Sequence, residues 1–248
     1  MRHVVALSGG KDSVAMALRL SEVNPDVDYD YLITPTGNEL PMMEEHWARV
    51  EEIIGKKMIR LTPFPDDGLA AVIHDQNMIP NFRARFCTRI LKIEPCIQWL
   101  VEHAPCVQYV GLRADEEERK GLFGDMEGVT QAYPLRDWGW GIDDVWNYLD
   151  EKDISIPERT DCAWCFFQRL IEWKRLWLHE RELFDKGAAI EEEMGYTFRS
   201  AGRDTWPADL KGLGEEFARG RKVRGEDKYN QKLLVGCDRE ALCRVCSM

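Results

Sequence analysis

Short apolar runs alternate with stretches of helical spacing through the first 150 or so residues. Val4-Val5-Ala6-Leu7 enters a glycine turn, and Val14-Ala15-Met16-Ala17-Leu18-Arg19-Leu20 follows with apolar residues at helical intervals, so the opening reads as strand, loop and helix. Tyr29 to Thr34 reads as a second strand. It ends in Thr36-Gly37-Asn38-Glu39-Leu40-Pro41, where Pro41 opens a helix through Trp47, Val50 and Ile54. Lys57 to Leu61 reads as a third strand, followed by a Pro- and Asp-rich loop. Ile90 to Val101 reads as a helix despite Pro95, and Val107 to Gly111 as a fourth strand. Strands alternating with helices predict an α/β fold: a mostly parallel twisted sheet with helices on both faces and ligands at the carboxyl ends of the strands.

Beyond Trp138 the pattern changes. Ile142 to Leu149 predicts a short amphipathic helix with Asp143 or Asp144 near its positive end, and Phe166 to Leu183 a longer helix rich in Trp and Leu. From about Gly187 glycine and charge increase and periodicity weakens. The chain therefore divides into a nucleotide-binding domain over residues 1–170 and a small helical or irregular, cysteine-containing extension over residues 171–248. No internal repeat is visible.

Composition narrows the function. No apolar run approaches the roughly 20 residues that span a bilayer, and the start lacks the apolar segment of a signal peptide, so a cytoplasmic protein with no membrane partner is expected. A net charge of -11 argues against a generic nucleic-acid coat. It leaves room for a local basic patch at Arg219-Gly220-Arg221-Lys222-Val223-Arg224, either a nucleic-acid contact or a solvated face. Eight cysteines in a reducing compartment point to metal or redox chemistry rather than disulfides. Cys162 and Cys165 form one CxxC, Cys243 and Cys246 a second, with Cys237 just upstream; Cys87, Cys96 and Cys106 stand alone. The five histidines are scattered without ligand spacing.

The chemistry concentrates in Ser8-Gly9-Gly10-Lys11-Asp12-Ser13. Consecutive small residues let backbone N–H groups approach phosphate oxygens, the next helix offers its positive end, and Lys11 can neutralise a leaving diphosphate. This is not the GxxxxGK[ST] loop. In Thr36 to Pro41 the turn can bring backbone to a nucleotide while Glu39 holds a ribose hydroxyl or a metal-bound water; a structural turn explains the same letters. Arg113 follows a strand directly and can clamp phosphate bidentately, with Arg119 and Lys120 nearby, whereas Glu116 to Glu118 read as a solvated helix face. The CxxC pair suits tetrahedral thiolate coordination of zinc or an iron–sulfur cluster. Cys96, Cys106 and Trp146 read as core.

Six segments in order, SGGKDS at Ser8–Ser13, TGNELP at Thr36–Pro41, FCTRILKIEP at Phe86–Pro95, GLRADEEERK at Gly111–Lys120, YPLRDWGWGIDDVWNYL at Tyr133–Leu149 and DCAWC at Asp161–Cys165, resemble the N-type ATP pyrophosphatases (the PP-loop superfamily). They narrow the resemblance to the branch of the phosphoadenylylsulfate (PAPS) reductases and the DNA phosphorothioation proteins of the DndC type, over most of residues 1–170. The resemblance implies an adenine nucleotide α-hydrolase-like fold that binds ATP or an adenylyl nucleotide through Ser8, Gly9, Gly10, Lys11, Asp12, Ser13, Gly37, Asn38, Glu39, Gly111 and Arg113, with Mg²⁺ near Asp12. Lys11, Asp12 and Arg113 are the catalytic candidates.

The sulfonucleotide reductases usually lack the loop lysine, so Lys11 favours adenylation: a substrate oxygen attacks the α-phosphorus, pyrophosphate leaves, and the AMP ester yields to a sulfur or nitrogen nucleophile. The resemblance places Cys87, Cys162 and Cys165 around a [4Fe-4S] cluster, with Cys246 as the tail's candidate for a fourth ligand; structural Zn²⁺ is the alternative. Phe86-Cys87 replaces the two adjacent cysteines of the iron–sulfur reductases, and their terminal ECG is missing. An ATP-dependent, AMP- and pyrophosphate-forming sulfurtransferase is therefore expected, with a homodimer among its candidate states. Its implied partners are a nucleic-acid acceptor and a sulfur-donor protein such as a cysteine desulfurase or a thioredoxin-like protein. A PAPS or APS reductase and a non-catalytic ATP-binding subunit with structural zinc are the rivals.

Overall fold

The computed structural model of the protein describes residues 1–119 and 126–234. Its five strands, β1 (Arg2–Ala6), β2 (Tyr29–Ile33), β3 (Ile59–Arg60), β4 (Cys106–Tyr109) and β5 (Val129–Ala132), form one parallel sheet in the order β3-β2-β1-β4-β5. At the centre of that order, Val4 of β1 pairs with Asp30 of β2 on one side and Gln108 of β4 on the other. Strands buried on both faces need apolar residues at consecutive positions. Val4 and Val5 meet that need, fully buried on opposite faces.

Parallel neighbours require crossovers, and helices supply them. α1 (Lys11–Val23) follows β1, and α2 (Pro41–Ile54) follows β2 with Pro41 in its first turn. α3 (Gly68–Gln76), α4 (Phe86–Thr88), a π-helical turn over Arg89–Ile93 and α5 (Glu94–Glu102) lie between β3 and β4. α6 (Pro134–Asp137) and α7 (Ile142–Glu151) follow β5. On one face Val5, Leu7, Met16, Tyr31, Trp47 and Leu149 pack together, joining α1, α2 and α7 to the sheet. On the other, Val4, Leu32, Cys96, Leu100 and Cys106 join it to α5.

The C-terminal helices are α8 (Leu170–His179), α9 (Arg181–Met194), α10 (Leu210–Ala218) and α11 (Glu226–Leu234). Their apolar faces do not close on themselves. Trp173, Phe184, Leu213 and Phe217 share a core with Leu40, Leu69 and Val72, which lie beside the sheet's carboxyl edge.

Three elements differ from the sequence reading. β5 and α3 are additional, and the continuous helix expected from Phe166 to Leu183 is two helices. Its start is delayed because Glu172 accepts the Arg169 backbone N–H and caps α8 there. Glu180, at φ -127° and ψ 56°, separates α8 from α9.

Glu191 on α9 is buried at 5% exposure and accepts backbone N–H bonds from Phe198 and Leu210, tying α9 to the start of α10. Burial pushes its pKa from 4.5 up to about 7, against the pull of those two donors. Between these values the folded chain holds a proton that the unfolded chain releases. The group's contribution is therefore complete below its unfolded pKa and is lost as pH rises through about 7. Thermal melting followed from slightly acid to slightly alkaline pH should show the midpoint falling across that window, and Glu191→Gln should flatten the fall.

Candidate functional site

Leu7 donates its N–H to the Leu32 carbonyl at 2.9 Å, so the chain leaves the sheet at a fixed point and turns at Ser8. The turn is locked by hydroxyls. Ser13 Oγ donates to the Gly10 carbonyl at 3.0 Å and accepts the Ser8 N–H at 3.2 Å, and Ser8 Oγ accepts the Gly10 N–H at 3.3 Å. Gly9 sits at φ +84°, and a Cβ there would lie 2.6 Å from Trp47 Nε1 and 2.8 Å from Met43 Cε. Only glycine meets both demands without strain. No side chain caps α1 at Gly10, which leaves the helix's positive end facing the loop.

His46 escaped the sequence reading. Its Nε2 donates to the Gly9 carbonyl at 2.9 Å from a buried position on α2. Burial lowers its pKa by more than that bond raises it, so the ring is neutral and steadies the loop without adding charge. No spacing rule finds such a residue, because its partner is a carbonyl in a distant segment.

Lys11 is 5% exposed, and its ammonium reaches Asp12 Oδ2 at 3.1 Å. The same carboxylate takes the guanidinium of Arg113, with NH1 3.1 Å from both oxygens. Arg113 is buried at 7% exposure and also binds Asp115 at 2.8 Å and approaches Glu116 at 3.6 Å. Burial alone would lower its pKa; Asp12 foremost, then Glu116 and Asp115, raise it above the ordinary value. In this arrangement the bidentate partner of Arg113 is a carboxylate. Two cations are thus gathered at the loop on one acidic hinge, Asp12. Gly111 fits against the backbone of Asp12 and Ser13, which brings the end of β4 close to α1. Glu116, expected on a solvated face, is half-buried and bonds the Arg113 N–H and Arg119.

The Thr36–Pro41 turn uses Glu39 on itself: Oε1 accepts the Thr36 N–H and hydroxyl, both at 2.6 Å, and Oε2 accepts the Asn38 N–H at 3.2 Å. That is the structural use of Glu39. Gly37 packs on the backbone of Gly68. Asn38 is 4% exposed, and its Nδ2 is a buried donor with no partner among the described residues. Its carbonyl accepts the Ala163 N–H at 2.7 Å, linking this turn directly to the CxxC loop.

Cys87, Cys162 and Cys165 line one narrow cleft together with Thr36, Arg85 and Lys92. Burial raises the Cys87 thiol's pKa while Lys92 opposes it. Cys165 is raised by the hydrogen bond it donates to Cys162, by burial and by the charge Cys162 would carry. Among the described residues no group of three His, Cys, Asp or Glu side chains is gathered closely enough to hold a metal ion. The cleft thus brings the three thiols together without closing them on a centre. Cys96 and Cys106 are buried elsewhere. Lys120, Cys237, Cys243 and Cys246 lie outside the described residues. In the Arg219–Arg224 run, Arg219 and Arg221 are tied to Glu216 at 2.6 and 2.8 Å.

No helix among the described residues is long and apolar enough to cross a membrane. Comparison with curated proteins gives no match. Among solved structures the chain is similar to the U34-tRNA thiolase NcsA from Methanococcus maripaludis with its [4Fe-4S] cluster, at 16% identity and a TM-score of 0.49, covering 100% of this chain and 80% of that one. The family model described as the phosphoadenosine phosphosulfate reductase domain matches residues 2–161, which contain the glycine loop, the Thr36–Pro41 turn, Cys87 and Arg113. With well over half its length in that match, the chain belongs to the phosphoadenosine phosphosulfate reductase domain family.

Proposed function

We propose that the protein is an ATP-dependent sulfurtransferase that activates its acceptor by adenylation, releasing pyrophosphate and then AMP. The observation that carries this reading is the buried Lys11 ammonium standing in a glycine loop at the uncapped positive end of α1. A family member handling an already adenylylated substrate has no departing pyrophosphate to neutralise; this loop has the charge for one. The acceptor oxygen attacks the α-phosphorus, the bond to the bridging oxygen breaks, and pyrophosphate carries its charge toward Lys11 and the loop amides. A sulfur nucleophile then forms its bond to the acceptor as the bond to AMP breaks. Asp12 holds Lys11 and Arg113 in register before ATP arrives, a pre-organisation that positions charge rather than substrate. Mg²⁺ at the phosphates would add further charge neutralisation, with Asp12 as its candidate ligand.

The cysteine cleft fits the second half of the reaction. Buried thiols that repel one another as thiolates become good donors only beside a cation. Cys87, Cys162 and Cys165 would hold a [4Fe-4S] cluster, with Cys246 as the candidate fourth ligand; held by three cysteines alone, it would leave one iron open for a hydrosulfide brought by a sulfur donor. Structural zinc is the competing occupant of the same donors. Sulfonucleotide reduction is the second reading, favoured by the family match itself.

Lys11→Ala should lower pyrophosphate release about 10²- to 10³-fold, measured with ATP and RNA or DNA oligonucleotides as acceptors. Formation of ADP alone would remove the adenylation reading, and sulfite release from PAPS or APS would install the reductase. Gly9→Ala should weaken ATP binding at least about tenfold and cost about 1–3 kcal/mol of stability, read by titration and by denaturant unfolding. Anaerobically purified protein should carry iron and broad visible absorbance that Cys87→Ser and Cys162→Ser both abolish. A colourless protein containing zinc would exclude the cluster.

A further inference from the structure

The cysteine cleft has a rim that the proposed chemistry does not use. Among the described residues, Arg113, Arg119, Arg159, Arg199, Arg219 and Arg221 all reach carboxylates. In so acidic a chain that is the expected fate of an arginine. Arg83 and Arg85 differ: among the described residues no hydrogen bond or ion pair holds either guanidinium, and Arg85 Nε is buried without a partner there. Each lies over an aromatic ring instead, Arg83 5.4 Å from the centre of Phe82 and Arg85 5.6 Å from that of Phe167.

The segment that carries them is pre-formed. Asn81 Oδ1 accepts the N–H groups of Arg83 at 3.0 Å and Ala84 at 3.1 Å, and the Asn81 and Ala84 backbones bond each other in both directions at 3.1 and 3.2 Å. This closes a tight turn. Phe82, at its tip, is 57% exposed, a large apolar ring held in solvent within two residues of Pro80, which lines the cleft. Phe166 and Phe167 line the same cleft with ring centres 4.3 Å apart.

Guanidiniums that meet no carboxylate among the described residues, each over an aromatic ring and one of those rings exposed at the tip of a turn, suit a ligand that alternates flat π surfaces with anions. We infer that this rim binds a single-stranded segment of nucleic acid, Phe82 and Phe167 stacking bases and Arg83 and Arg85 meeting the flanking phosphates. The overall charge of -11 confines such binding to this patch and disfavours non-specific coating. The inference rests on the proposed transferase reading only for its consequence, that the acceptor is delivered to the cysteine cleft.

The test is fluorescence anisotropy of labelled single-stranded RNA and DNA dodecamers of mixed sequence with the full chain, purified anaerobically, over a range of salt and without ATP. Wild type should bind. Phe82→Ala should weaken binding about tenfold, and Arg83→Ala should reduce the slope of log affinity against log salt by about 0.7, one phosphate contact. ATP binding and melting temperature should stay unchanged in both variants. Preference between the RNA and DNA arms identifies the acceptor's sugar. No binding, binding indifferent to both substitutions, or equal and indifferent binding of duplex would overturn the inference, as would an acidic protein partner whose capture alone depends on Phe82 and Arg83. Because no turnover is required, failure here is separable from failure to release pyrophosphate.

Discussion

The centre of the sheet governs the rest. β1 is hydrogen-bonded to a parallel neighbour on each side, so the position and direction in which it releases the chain at Leu7 are over-determined. Everything at the glycine loop inherits that precision. The serine hydroxyls close the turn, His46 holds its carbonyl, and Arg113 arrives from the end of β4 to meet Asp12. A loop between isolated strands would have no comparable frame, and the two cations gathered on Asp12 would have no fixed place to stand.

The same edge of the sheet carries the glycine loop and the cysteine cleft side by side. The Thr36–Pro41 turn belongs to both: it lies at the end of β2, next to the loop after β1, and its Asn38 carbonyl holds Ala163 of the CxxC segment. The proposed two-step reaction would need its two halves at a set separation, and a backbone hydrogen bond is a stiff spacer. The π-helical turn directly after Cys87 and Thr88 adds a local irregularity of the kind found where a helix has been adapted to a site.

Much of this was readable from residues alone. Consecutive buried apolar positions announced β1 and β2, Pro41 announced α2, and the clustering of small residues with Lys11 announced the loop. What stayed hidden has physical reasons. β5 is Val129-Thr130-Gln131-Ala132, only partly covered, and lacks the continuous apolar run of a central strand. The capping carboxylate of Glu172 and the break at Glu180 lie inside a stretch whose Trp and Leu spacing suits a helix throughout. Glu39 and Glu116 looked available for ligands or solvent, yet both bond nearby backbone, and sequence cannot show which oxygen a carboxylate will meet. The cysteines were legible as candidates, but convergence in one cleft depends on tertiary packing between Cys87 and a loop more than seventy residues later.

Trp164 lies between the two cysteines of the CxxC, and its indole N–H is held by the Leu183 carbonyl at 2.8 Å while its ring rests where a side chain on Gly187 would stand. Both anchors are on α9, outside the segment the family model matches. The loop that spaces that thiol pair is therefore anchored from two sides, at Ala163 by the matched domain and at Trp164 by the appended helix. A change in how α9 packs would therefore reach Cys162 and Cys165 through a single indole, without passing through the glycine loop.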